Sequence, residues 1–275
     1  MVALDPVTRS SVPPLLASEP ADAERLRLRE PPSELPFIRQ VWRGLGFLHW
    51  RVDPSAIAAL LPTGLEVDTF GGAAYVGIVP FTIPVSQLAG VRFPIAPSFH
   101  ELNLRTYVHR AGSDPGVWFF SLDAASRLAV WGARFGYSLP YFHARMSMRS
   151  RRDHDGLSID YRSRRNGGDD APGAEFRARY GPRGPAAPAS PGSLEFFLVE
   201  RYLLYSRIGD ALASARVHHA PYPIQAASAS DVAETLTSAA GLPRTIGPPD
   251  HVCYASEVDV RIFPSRRLDN PPRVR

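Results

Sequence analysis

The chain of 275 residues contains no lysine: all 31 of its basic side chains are arginines. That absence has a chemical consequence. No side-chain amine exists to form a Schiff base with a carbonyl substrate, and none can serve as a lysine general base. Cysteine is nearly absent too. Cys253 stands alone, so no internal disulfide is expected, which fits a reducing cytoplasm. Its setting, "HVCYASEVDV", is strand-like and favours a small core residue over a nucleophile. No apolar run approaches the length of a membrane span. The first 36 residues lack the apolar core of a signal peptide and read as a disordered, Pro-rich arm. A net charge of +4, with arginine runs interrupted by Asp and no interleaved aromatics, gives no reason to expect a nucleic-acid partner. Walker and Gly-x-Ser-x-Gly signatures are missing, and no Cys/His/Asp/Glu group has metal-ligand spacing. No metal or cofactor is implied.

What is present is ordinary globular material, 44% hydrophobic and 21% charged. Residues 37–264 read as one domain, followed by a basic tail at 265–275. "FIRQVWRGLGFLHWRV" alternates like a strand, and "DPSAIAALLPTG" is a short helix capped by Asp53. A hairpin is expected at Gly71-Gly72. Asp123 is expected to cap a helix whose Leu128, Trp131 and Phe135 face the core. "SDVAETLTSAAG" reads as helical. Many strands, few helices and no strict alternation argue for an α+β protein on an antiparallel sheet or barrel.

The stretch "FHELNLRTYV" (99–108) carries the sharpest signal. A period of two puts Leu102, Leu104, Thr106 and Val108 on one face, and Glu101, Asn103, Arg105 and Tyr107 on the other. Its neighbour "GVWFFSL" is apolar on both faces and is expected to pair with it as a hairpin, covered on both sides. Glu101, Asn103 and Arg105 would then point into an enclosed space, where buried charges must pair or meet a ligand.

Several segments, in order, resemble the YqjF-like family of uncharacterised conserved proteins: "FLHWRVDPSAIAALLPTGLEVDTFGGAAYVGIVPF", "FHELNLRTYV", "GVWFFSLDAASRLAV", "LPYFHARM", "ERYLLYSR" and "VHHAPYPIQ". The resemblance spans roughly residues 37 to 263. It implies the acetoacetate decarboxylase-like superfamily, and hence a closed or nearly closed β-barrel with flanking short helices. In that superfamily an arginine stands ten residues before the aspartate opening the first helix, as Arg43 stands before Asp53. Glu101 is similar in position to an active-site glutamate. Where decarboxylases carry Pro-Lys-Lys this chain has Pro140-Tyr141-Phe142, and a second glutamate is missing near Val76-Gly77. Decarboxylation through an imine is therefore excluded.

The candidate site residues each have a functional and a structural reading. Arg43 is either a bidentate carboxylate clamp or a sheet-surface arginine. Glu101 is either an acid/base raised in pKa by burial or a salt-bridge partner of Arg105 or Arg43. Tyr141 is either a hydrogen-bond donor to substrate or amphipathic packing. His143 shares a strand face with Tyr141 and Arg145 and follows them inward or outward. Asn103, Arg105 and His143 join Arg43 as candidate substrate-binding groups, with Glu101 and Tyr141 as candidate catalytic ones. The expectation is a pocket for a small oxo- or hydroxy-carboxylic acid in a lyase-, dehydratase- or isomerase-type enzyme. The alternative is a non-catalytic binder or carrier of a carboxylate or apolar ligand. Self-association is left open, and no membrane partner is expected.

Overall fold

The computed structural model describes residues 19–91, 93–154, 156–165, 167, 173–245 and 247–269. Its elements run α1 (Asp22–Arg27), β1 (Ile38–Val52), α2 (Pro54–Ala58), β2 (Glu66–Val67), β3 (Ala74–Leu88), β4 (Phe99–Arg110) and β5 (Ser113–Ala124). There follow α3 (Arg127–Tyr137), β6 (Tyr141–Asp153), β7 (Gly156–Arg165), β8 (Ala174–Ala187), α4 (Leu194–Val199) and β9 (Leu203–Ile208). The last are β10 (Ala211–His219), β11 (Ile224–Glu234), α5 (Leu236–Ala239), β12 (His251–Ile262) and β13 (Arg266–Arg267). No described helix is long and apolar enough to cross a membrane.

Local chemistry explains several boundaries. The Asp53 side chain accepts from the Ser55 amide at 2.8 Å, and Pro54 occupies the first turn of α2, where a missing N–H costs nothing. The β4–β5 hairpin turns through Ala111 and Gly112, both at positive φ, the backbone that a two-residue hairpin requires. Gly71-Gly72 also makes a tight turn, closed by a Phe70–Ala73 bridge, but the strand before it, β2, pairs with β4.

The thirteen strands of the described residues belong to one sheet. Its pairings close two rings that share β12, β1, β3, β4 and β5. The first ring is completed by β9 and β10, the second by β6, β7, β8 and β11. Shared strands are therefore covered on both faces. Phe47, Val79, Phe81 and Leu122 join one apolar cluster, while Leu48, Ile78, Leu102 and Leu104 join a second. This accounts for the burial of β4 and β5 on both sides, and α4 adds four consecutive buried residues to the first cluster.

The sheet is not purely antiparallel. β5 pairs in parallel with β6 and with β9. α3 supplies the crossover from β5 to β6 that a parallel pair needs.

Several expectations are corrected. Part of the expected arm is ordered: α1 is docked through Arg25, whose guanidinium holds Asp68 at 2.7 and 2.9 Å, both residues buried. Residues 1–18 lie outside the described residues, as do 270–275 of the tail, but β13 pairs with β10. Ser126, not Asp123, caps α3, accepting from the Ala129 amide at 3.2 Å. Asp123 is fully buried and takes two donors from Arg165, at 3.0 and 2.5 Å. Leu128 and Trp131 are 56% and 67% exposed, so that face of α3 is not a core face; the Phe135 side chain lies outside what is described. Finally, the "SDVAETLTSAAG" segment is helical only in its second half, and its first five residues are strand. β11 pairs with β8 through Glu234, whose carboxylate then accepts from Thr237 to start the four-residue α5.

Candidate functional site

Inside the first ring lies a cavity of about 450 Å³. The Glu101, Asn103 and Arg105 side chains line it from β4, and Tyr141 reaches it from the start of β6. Its walls are apolar, among them Trp42, Phe47, Phe81, Phe119 and Leu122. At one end α4 meets the cavity floor, where Arg105 Nη2 donates to the Leu198 carbonyl at 3.1 Å. Near Glu101, which pairs with Ala124 just before α3, that helix lies over the other end.

Glu101 is 4% exposed, and burial pushes its pKa up to about 8, against hydrogen bonds from Tyr141 and Asn103 that favour the carboxylate. The Tyr141 hydroxyl donates to Glu101 Oε2 at 3.0 Å, and burial together with that carboxyl raises the tyrosine well above its usual value. Burial thus favours the protonated carboxyl at neutral pH. Arg105 stands four residues further along, about 13 Å of strand away, too far to hold the Glu101 proton off. The alternative reading of Glu101, an ion pair with Arg105 or Arg43, is not among the ion pairs formed by the described residues, where Arg43 pairs with Glu257.

Arg105 differs from the other buried arginines. Arg25 and Arg201 share Asp68, and Arg165 is paired with Asp123. Among the described residues Arg105 has no carboxylate within ion-pair distance, and its Nε has no hydrogen-bond partner. Its guanidinium sits 5.6 and 5.7 Å from the ring centres of Phe47 and Tyr107. Arg201 also lines the cavity, with Nη1 on Asp68 at 2.6 Å and Nη2 without a partner. Burial lowers it to about 10, partly countered by Asp68. The floor thus presents two buried guanidiniums, each with an unused donor.

Behind Arg105 a hydrogen-bonded chain runs outward. His251 Nε2 lies 3.5 Å from Glu195, His251 Nδ1 lies 3.2 Å from His49 Nδ1, and His49 Nε2 lies 2.8 Å from the Tyr107 hydroxyl. A single proton arrangement satisfies all three contacts. Glu195 draws the His251 proton to Nε2, so His251 Nδ1 accepts from His49 Nδ1–H and His49 Nε2 accepts from Tyr107. Burial, then His251 and Arg105, hold His49 well below its usual pKa, which keeps it neutral for this role. The chain locks the Tyr107 ring against which Arg105 and Arg201 pack.

Two sequence candidates are not in the cavity. Arg43 is 59% exposed and pairs with Glu257 at 2.6 Å. Its position follows from Gly44, at φ 68°, where β1 changes face: Gln40 and Trp42 line the cavity before it, Leu45 and Phe47 after it. β12 changes face opposite, with Ser256 and Glu257 exposed in succession. Regular alternation would have put Arg43 on the same side as Leu45. His143 shares the strand face of Tyr141 but is exposed, because sharing a face does not ensure that the covering layer extends that far. Arg201, His219 and Tyr222 line the cavity and were not anticipated. They fall in "ERYLLYSR" and "VHHAPYPIQ", and their signal was a polar group placed among strand-forming apolar ones.

A family profile matches residues 39–259. The chain belongs to the DUF2071 family of uncharacterized conserved proteins. This DUF2071 chain is 39% identical over 240 residues to the uncharacterized protein YqjF of Bacillus subtilis (strain 168), covering 86% of this chain and 94% of that one. Its fold is similar to that of acetoacetate decarboxylase from Legionella pneumophila, with a TM-score of 0.61 and 11% identity over 86% of this chain and 88% of the other. It is similar also to the enduracididine biosynthesis enzyme MppR complexed with pyruvate, with a TM-score of 0.57 and 14% identity over 88% and 94% of the two chains. An acetoacetate decarboxylase-like enzyme from Sphingomonas wittichii RW1 gives 0.54 and 16%, over 86% and 94%. At these identities the likeness is one of fold.

Proposed function

We propose that the first ring is a closed barrel holding a pocket for an oxo- or hydroxy-carboxylic acid. Arg105, with Arg201 beside it, clamps the carboxylate; Glu101 is the proton donor, and Tyr141 with Asn103 orients it. The observation that carries this is Arg105, a buried cation on the cavity with no carboxylate within ion-pair distance among the described residues. Burying such a charge costs several kcal/mol unless a partner arrives, and a carboxylate supplies both charge and hydrogen-bond acceptors. MppR, a protein of the same fold, is described in complex with pyruvate, which supports a carboxylate ligand in this architecture.

Without a lysine there is no lysine imine route, and proton transfer is the chemistry that Glu101 and Tyr141 offer. A neutral Glu101 in an apolar wall can protonate a departing hydroxyl or an enolate oxygen, the step that a dehydratase, lyase or isomerase needs. A carrier of the same fold would use the clamp without the proton. The test joins thermal shift to turnover over a panel of oxo- and hydroxy-acids. A ligand acid at a hundredfold excess over its Kd stabilises the protein by about 2.7 kcal/mol, and Arg105→Gln removes most of that gain. Turnover that Glu101→Gln abolishes while binding persists identifies an enzyme; binding with no turnover identifies a carrier. Equal stabilisation by neutral analogues in both proteins refutes the clamp.

A further inference from the structure

We infer that the ligand is an amphipathic acid: its carboxylate sits at Arg105, and an apolar tail of several carbons runs along the cavity to emerge under α3. This rests on the carboxylate reading above and names the substrate class. Three observations point the same way. A space of about 450 Å³ belongs to the range of drug-sized ligands and leaves a three- or four-carbon acid loose. Arg105 and Arg201 occupy the floor and Glu101, Asn103 and Tyr141 one wall, while the rest of the lining is mainly apolar, including Phe99, Leu122 and Leu139, with Gln40 and Ser86 as further polar residues on it.

The third observation is the rim. Phe37, Ile95, Leu128 and Trp131 line the cavity and are 49%, 38%, 56% and 67% exposed. These four are among the few large hydrophobic side chains that the described surface exposes, and they are gathered at one opening. Scattered exposed apolar residues need no explanation, but a cluster continuous with an apolar cavity marks a binding surface. Leu128 and Trp131 are also the α3 residues whose spacing imitates a core face. Glu101 and Tyr141 lie along the path from floor to rim, so an oxygen function within the chain meets the proton donor there.

The test is calorimetric titration with unbranched saturated carboxylic acids of increasing length, each beside the primary alcohol of equal carbon number. The expected result is affinity rising about fourfold per added methylene, levelling off once the tail clears the rim. The double variant Leu128→Ala/Trp131→Ala, changed only at exposed positions, should bind short acids normally and lose about tenfold for long ones. Affinity that does not depend on chain length overturns this inference even if acids still outbind alcohols. A length dependence with acids and alcohols equal overturns instead the anion clamp on which it rests. A change of mass by light scattering in the double variant, with binding of long acids unaltered, makes the rim a contact between copies of the chain and also overturns the proposal.

Discussion

Replacing Glu101 with Gln isolates one proton. The folded carboxyl titrates at about 8 and its ordinary value is 4.5. Between those values the native state keeps a proton that the unfolded chain has lost, so stability falls as pH rises. The penalty from Glu101 is absent below 4.5 and reaches its full size once pH passes about 8. Working the two titrations through, Glu101 costs the fold about 1 kcal/mol at about pH 5 and about 4 kcal/mol at about pH 8. Glutamine keeps the shape and still accepts from Tyr141, but does not titrate. The stability of Glu101→Gln relative to wild type should therefore improve by about 3 kcal/mol from about pH 5 to about pH 8. In a domain of this size that is about 6–12 °C in the difference between melting temperatures. Urea denaturation followed by near-UV circular dichroism, on both proteins across that range, measures it directly. Because only the difference is used, other titrating groups cancel, including Asp123, which burial also raises despite Arg165. If the two stability curves run parallel, Glu101 ionises in the folded protein as it does in water. The cavity wall is then wet and the proton-donor role fails.

Arg43→Ala should change stability by no more than about 0.5 kcal/mol and leave acid binding untouched, because its partner Glu257 is on the exposed face. Loss of carboxylate binding in that variant would contradict the placement of β1. Asp68→Asn leaves Arg25 and Arg201 buried without their shared anion and should cost about 3–5 kcal/mol in urea denaturation; a silent substitution would mean water reaches those guanidiniums. His49 is held below its ordinary 6.5, so the unfolded chain protonates first and stability is lost as pH falls below that value. His49→Gln should flatten this acid limb, by at most about 1.4 kcal/mol per pH unit; an unchanged limb would place the proton uptake elsewhere.

Alternation alone was enough to put Glu101, Asn103 and Arg105 on one face of one strand, and the doubly apolar partner strand implied that this face is covered. A period of two is set by backbone geometry, and β4 runs without a break through those residues. Composition by itself excluded an imine on a lysine, since no arrangement of this chain supplies an amine side chain. The capping of α2 was equally local, a carboxylate one residue before a proline. Arg43 went wrong because a single glycine at positive φ moves everything after it to the opposite face, and a sequence does not say which glycine will do so. α3 misled for a related reason: helical spacing creates an apolar stripe, but whether a core or an opening faces that stripe depends on elements far away in the chain. Arg201, His219 and Tyr222 reach the cavity only because β9 and β10 close the first ring against β5 and β12, bringing together residues about a hundred positions apart. Most consequential is the missing anion. Which buried arginines find a carboxylate is decided by strand order, so only the tertiary structure could leave Arg105 without one among the described residues.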